Sequence, residues 1–256
     1  MSLPDGDEDF FIGWADTPHA DRRFFLRAGL GLTAAAGGLG LGLAALQRPP
    51  GAGSWDQDDI REWRGIVTAE PYAMLHTRDL GQGPRTALLS CLGKCGVAAR
   101  IGSLAGQSVV VTGSLIQRGR HSMIAVDEVA DWIRRDPGAA PDPALISTAP
   151  EPLGEVNLAG EILDSKCWFG AMRPADGKVH KACASLCIRG GIPPAFFARG
   201  QGRQGVLLIM TTGGHAYGPE LLALVADPVR LTGRVFRQGD LFVLDAPLPG
   251  IRRVQT

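Results

Sequence analysis

The sequence predicts a mainly β protein, with two small OB-like β-barrel domains in tandem after a single N-terminal transmembrane helix. Three observations carry that prediction. Glycine (35) and proline (18) are abundant while aromatic residues make up only 6%, a composition of turns and short strands that excludes an all-helical chain. One uncharged run, Ala28 to Gln47, stands near the N-terminus. A short pattern of strand-like residues between fixed glycines occurs twice in the remainder.

The run from Ala28 to Gln47 would form a helix of about 30 Å, the thickness of a hydrocarbon core. Arg22, Arg23 and Arg27 precede it, while Arg48 and a Pro-Pro-Gly breaker follow. The positive-inside rule therefore places residues 1–27 in the cytoplasm, residues 28–47 in the membrane and the rest outside. The acidic stretch 1–20, with Phe10, Phe11 and Trp14, reads as a flexible cytoplasmic tail. Gly42-Leu43-Ala44 meets the small-x-small cleavage pattern only weakly, so an uncleaved anchor is expected.

Asp21-Arg22-Arg23-Phe24-Phe25-Leu26-Arg27 resembles the twin-arginine export signal of bacteria: paired arginines, Phe-Leu at the matching offset, a following basic residue and a Gly/Ala-rich core. Asp21 stands where that signal usually has Ser or Thr. An ordinary stop-transfer or signal-anchor helix would give the same topology. The resemblance implies the twin-arginine export machinery as a partner and a passenger exported already folded.

Beyond the anchor, Val111-Thr112-Gly113 leads SLIQRG to Gly119, then MIAVDE. Leu231-Thr232-Gly233 leads RVFRQG to Gly239, then LFVLD. Each ending follows a similar opening, Gly65-Ile66-Val67 and Gly160-Glu161-Ile162-Leu163, so the chain reads as a duplicated domain. Strands are expected at Gly65–Thr68, Thr86–Leu89, Ser108–Ile116 and Met123–Glu128, then at Glu161–Leu163, Val206–Thr211, His215–Tyr217, Val229–Phe236 and Leu241–Leu244. Short strands, intervening turns and one small helix describe a five-stranded barrel of the OB type. The first barrel is assigned to 60–133, a Pro/Ala-rich linker to 134–154 and the second barrel to 155–256. PELLALVADP reads as a short amphipathic helix packed on the second barrel.

The stretch CWFGAMRPADGKVHKACASLCIRGGIPP, Cys167 to Pro194, places three of the chain's five cysteines beside a histidine. A helix from Lys178, stopped by Gly190-Gly191, puts His180, Cys183 and Cys187 on one face, with Cys167 across a turn at the end of the preceding strand. Three readings stay open. A metal site of Cys167, His180, Cys183 and Cys187 suits zinc, iron or copper, although the spacing matches no standard zinc finger. Outside the cytoplasm, a disulfide from Cys167 to Cys183 or Cys187 would staple the helix to the barrel. Inert thiols on a core-facing stripe are the third. Twin-arginine passengers often receive a cofactor before export, and that resemblance favours the metal.

Cys91 and Cys95 sit at a comparable place in the first copy and read as structural, with a local disulfide open to them. His76 and His121 are distant in sequence, and His215 with Tyr217 reads as a hairpin turn. Asp164, Lys166 and Lys178 flank the cysteines as candidate charges or solvated surface. With 45% hydrophobic and 20% charged residues and zero net charge, the chain has no field to attract nucleic acid or anionic lipid. No nucleophile elbow, phosphate loop, paired-carboxylate signature or c-type haem motif occurs.

The order of features resembles bacterial membrane-anchored proteins with a twin-arginine-type N-terminus and OB-like domains, a likeness that implies no reaction. The expected function is a non-enzymatic accessory or assembly protein of a membrane or redox complex. It would be held at the bacterial inner membrane, single-pass, with both barrels in the periplasm and a membrane or periplasmic protein as partner. The alternative is a redox protein with its own metal centre or exchangeable dithiol.

Overall fold

A computed structural model describes residues 21–32, 51–127, 129–140, 142–145, 150–199 and 205–254. The chain divides into two units, Met1–Arg48 and Pro49–Thr256. In the first, residues 21–32 form an exposed helix, α1, that carries the arginine motif. No helix among the described residues is long and apolar enough to cross a membrane. From position 33 onward, the predicted span 28–47 lies outside the described residues.

The second unit holds two closed five-stranded barrels with the same wiring. In the first, β1 (Ser54–Thr68), β2 (Met74–Thr77), β3 (Arg85–Cys91), β4 (Ser108–Arg118) and β5 (His121–Val126) run in the order β1-β2-β3-β5-β4, and β4 closes back on β1. β3 and β5 are parallel; the other neighbours are antiparallel. A short helix α2 (Ala98–Ile101) precedes β4, and β6 (Ile133–Arg135) adds to its edge.

The second barrel repeats this with β7 (Glu151–Asp164), β8 (Pro194–Arg199), β9 (Gly205–Thr211), β10 (Pro228–Gln238), β11 (Leu241–Asp245) and the edge strand β12 (Ile251–Arg253). Its extra material, a turn at Cys167–Ala171 and helix α3 (Lys181–Arg189), sits between β7 and β8.

The repeated Thr-Gly pairs have a steric cause. A Cβ on Gly113 would lie 2.5 Å from the Ala125 carbonyl oxygen of β5, and one on Gly233 would lie 2.7 Å from that of Asp245 in β11. Only glycine lets the closing strand approach its neighbour at this point.

Three apolar clusters explain the near-continuous hydrophobic strands. Leu75, Ala87, Leu89, Ile124 and Val126 fill the first barrel, and Phe196, Leu208, Met210, Leu231 and Leu244 fill the second. The alternate residues Met74, Leu88, Met123, Leu207, Ile209 and Leu241 point the other way, into a third cluster shared by both barrels. Strands buried on both faces lose the polar alternation of a half-exposed sheet.

Phe169 and Trp168 complete the shared cluster, and Tyr72 donates across it to the Met210 carbonyl at 2.7 Å. Asp240 accepts from Arg85 and from the Thr86 N–H. Each large side chain buried here contributes roughly 1.5–3 kcal/mol, so the contact rivals the net stability of a whole domain, about 5–15 kcal/mol.

Several sequence expectations change. β2 and β8 lie outside the expected strands, as do both edge strands. His215–Tyr217 is not a strand: His215 bridges back to Thr212 around Gly213 and Gly214. The PELLALVADP segment forms a 3-10 turn, Pro219–Leu224, whose Leu221 enters the second core. Strand residues occupy both ends of the proline-rich segment 134–154, and β1 starts before position 60.

Candidate metal centre

β7 delivers its last residue, Asp164, into the protein interior with no exposure, and the chain then turns through Cys167–Ala171. Cys167 therefore occupies a helical turn just past the strand, not the strand end. His180 precedes α3 in a 3-10 turn, Lys178–His180, while Cys183 and Cys187 lie one turn apart on α3. The four predicted residues fall into two overlapping groups that share Cys167. The ligand atoms of Cys167, His180 and Cys183 lie within 4.8 Å of one another, as do those of Asp164, Cys167 and Cys187.

Asp164 organises the group. One carboxylate oxygen accepts the Cys167 N–H at 2.8 Å, and the other sits 2.9 Å from His180 Nε2. With Nε2 engaged, Nδ1 is the ring nitrogen left for an ion, the carboxylate–histidine pairing that fixes imidazole ligands. Asp164 is thus a member of the cluster rather than solvated surface.

Cys167, Cys183 and Cys187 are free thiols, and Cys167 Sγ lies 4.0 Å from Cys183 Sγ. Of the three readings, the staple from Cys167 is not the one formed. The disulfide is the local one, Cys91–Cys95, with an S–S bond of 2.04 Å. Thiolates about 2.3 Å from a tetrahedral ion lie about 3.8 Å apart, a spacing that 4.0 Å nearly meets.

The hydrogen bond from Cys167 to Cys187, assisted by burial, holds the Cys167 thiol well above the ordinary thiol range. The same bond holds Cys187 below it, with Lys94 assisting and burial opposing. A thiol that becomes a metal ligand gives up its proton as the ion binds.

The first barrel reaches into this site. Within the Cys91–Cys95 loop, Lys94 Nζ lies 2.8 Å from Cys183 Sγ and 4.0 Å from Cys187 Sγ, and the contact with Cys183 is the main reason its pKa is raised. In the opposite direction the buried Lys166 donates to the carbonyls of Cys91, Leu92 and Gly93 at 2.6, 2.9 and 2.8 Å. Lys166 is therefore neither solvated nor a ligand; its three donors are spent on the disulfide loop. Gly96 N–H also donates to the Gly190 carbonyl at 2.8 Å.

A cavity of about 410 Å³ borders the cluster through Cys167 and Met172, with Arg118, Arg173, Trp168 and Phe197 on its walls. Met172 Sδ lies 3.6 Å from Cys183 Sγ. His76 and His121 are elsewhere: His76 lies between Thr68 and Thr86, and His121 packs on Trp168 and Phe169.

Sequence reasoning gathered the cysteines and His180 but passed over Lys94, the role of Asp164, and Met172. The Asp-x-x-Cys spacing directly after an Ile-Leu strand end is the signal that would have found Asp164. Comparison with protein-family models, with curated proteins and with solved structures finds no match. Fold and site together define a two-barrel protein with a thiol-rich cluster where an insertion of one barrel meets a disulfide loop of the other.

Proposed function

We propose that Cys167, Cys183, Cys187 and His180 hold a thiophilic transition-metal ion, zinc, iron or copper, in a non-enzymatic accessory or assembly protein of the bacterial envelope. The observation that carries this reading is the pair of overlapping ligand groups, Cys167 with His180 and Cys183, and Cys167 with Cys187 and the buried Asp164, in which all three thiols are free. The ion would supply a compact positive charge that draws the thiolates together. The chain's own residues do the rest: Asp164 orients the imidazole, Lys94 compensates surplus thiolate charge, and Lys166 fixes the loop that presents Lys94.

The barrels are of the OB type in this reading, supported by the closed order 1-2-3-5-4 with strands 3 and 5 parallel. OB barrels that bind nucleic acid use the face of strands 2 and 3. Here Met74 and Leu88 on that face of one barrel, and Ala195 and Leu207 on that of the other, are buried in the shared cluster. That face is therefore not open to nucleic acid in either barrel. The twin-arginine-like segment supports a tether with both barrels in the periplasm, and a reporter active only in the cytosol, fused after Thr256, is expected to be silent.

Elemental analysis and an electronic spectrum of the full chain isolated from the membrane fraction test the metal. One equivalent per chain, lost in a variant with Cys167, Cys183 and Cys187 all changed to Ser, is expected. Metal-free protein that takes up no zinc, ferrous or cuprous ion refutes the reading.

A second reading, an exchangeable dithiol, is favoured by the short Cys167–Cys183 approach of 4.0 Å. Cys167 and Cys183 would form one S–S bond while a partner disulfide takes their two electrons and two protons. Stoichiometric reduction of an added disulfide by the metal-free chain would favour it.

A further inference from the structure

The sulfur atoms of the cluster form a graded path from solvent to interior. Met172 is 44% exposed, Cys183 is half-buried, Cys167 is 4% exposed and Cys187 is 1% exposed. Successive distances along it are short: Met172 Sδ to Cys183 Sγ is 3.6 Å and Cys183 Sγ to Cys167 Sγ is 4.0 Å. The outer end borders the cavity that also reaches Cys167.

Chemical type discriminates among ions here. A thioether is a neutral, soft donor that suits monovalent copper and offers little to zinc, whose protein ligands are thiolate, imidazole and carboxylate. Met172 places such a thioether at the solvent edge of the cluster, in contact with the half-buried Cys183 thiol.

Resting on the metal reading above, we propose that Met172 and Cys183 are the loading end of the cluster and that the ion taken up is monovalent copper. The ion arrives at the Met172 thioether, is passed to Cys183 and settles among Cys183, Cys167 and Cys187. Its oxidation state does not change, and each thiol that becomes a ligand releases one proton to solvent. Three thiolates around a monovalent ion leave two negative charges, one of which the Lys94 ammonium beside Cys183 offsets.

The test uses the full chain with the three thiols reduced under anaerobic conditions. Copper(I) is offered from a coloured chelator and zinc is offered separately, to the wild type and to Met172→Leu. The wild type is expected to bind one copper(I), and Met172→Leu is expected to load it at least about tenfold more slowly while its thermal midpoint and zinc uptake stay unchanged.

A second readout is independent of rate. With all five methionines replaced by selenomethionine, X-ray absorption at the copper edge of partially loaded protein is expected to show a selenium neighbour that Met172→Leu removes. Copper loading at the wild-type rate in Met172→Leu, with no selenium neighbour, overturns the loading route. Zinc bound at one equivalent with no copper(I) uptake overturns this inference and leaves the metal centre standing. Failure to bind either ion overturns this inference, and failure to bind ferrous iron as well removes the metal reading.

Discussion

Gly190→Ala probes whether the disulfide loop of the first barrel is seated on the cysteine helix of the second. Gly190 has φ −77° and ψ −4°, a conformation that alanine adopts freely, so any cost is steric. A Cβ there would lie 2.9 Å from the Lys94 carbonyl carbon, where ordinary contact begins at 3.4 Å, and its oxygen is closer still. The two backbones must part by more than that 0.5 Å difference. The loop cannot yield alone, because its disulfide closes it and Lys166 binds three of its carbonyls.

Forcing a methyl into packed backbone costs about 1–3 kcal/mol, and losing the Gly96–Gly190 hydrogen bond adds about 1 kcal/mol. At roughly 2–4 °C per kcal/mol for a unit of this size, the thermal midpoint should fall by about 5–15 °C. Circular dichroism melting gives the midpoint, and a short amine-to-thiol cross-linker reports whether Lys94 still reaches Cys183. An unchanged midpoint with an intact Lys94–Cys183 cross-link refutes the reasoning.

Other perturbations separate the structural parts. Burial, chiefly, with Arg118, Arg85 and Arg120 assisting and Asp240 opposing, pushes His121 down to about 4, so it is neutral in the folded state. The unfolded chain binds a proton there below about 6.5, so stability is full above that pH and is lost as pH falls toward about 4. The loss is about 2–3 kcal/mol after allowance for partial exposure. Urea midpoints at pH 7 and 4.5 should differ accordingly, and an equal difference in His121→Gln would contradict the assignment.

Phe169→Ala removes a fully buried ring from the shared cluster and should cost about 3–5 kcal/mol in chemical denaturation; a loss under about 1 kcal/mol would mean the barrels do not depend on that contact. Lys166→Met keeps the volume but strands the Cys91, Leu92 and Gly93 carbonyls. It should cost about 1–3 kcal/mol, and a variant as stable as the wild type would show that the ammonium is not what seats the loop.

The duplication was legible because its markers answer a steric demand that recurs in each barrel: Gly113 and Gly233 are the only residues that fit where the closing strand presses on its neighbour. The strands at Ser108, Met123, Val206 and Leu241 were legible from apolar runs. β2 was not, because MLHT is four residues long, buried on both faces and carries a histidine in place of a periodic apolar residue. β8 was hidden by Pro193-Pro194, which reads as a stop yet opens an inner strand.

At the site, the cysteines and His180 fall within one short segment, so local spacing revealed them. Lys94 joins from 89 positions away, and no local pattern encodes a contact created by packing two barrels together. Lys166 misled for a related reason: a lysine beside cysteines reads as surface until three carbonyls from the other barrel close over it.

Counting thiols by mass spectrometry on the native full chain, with and without reductant and with and without a strong chelator, tests the metal cluster most directly. One disulfide, between Cys91 and Cys95, is expected, together with three thiols that resist alkylation until the chelator is added. Immediate alkylation of Cys167, Cys183 and Cys187 without chelator, or a second disulfide involving Cys167, would contradict it.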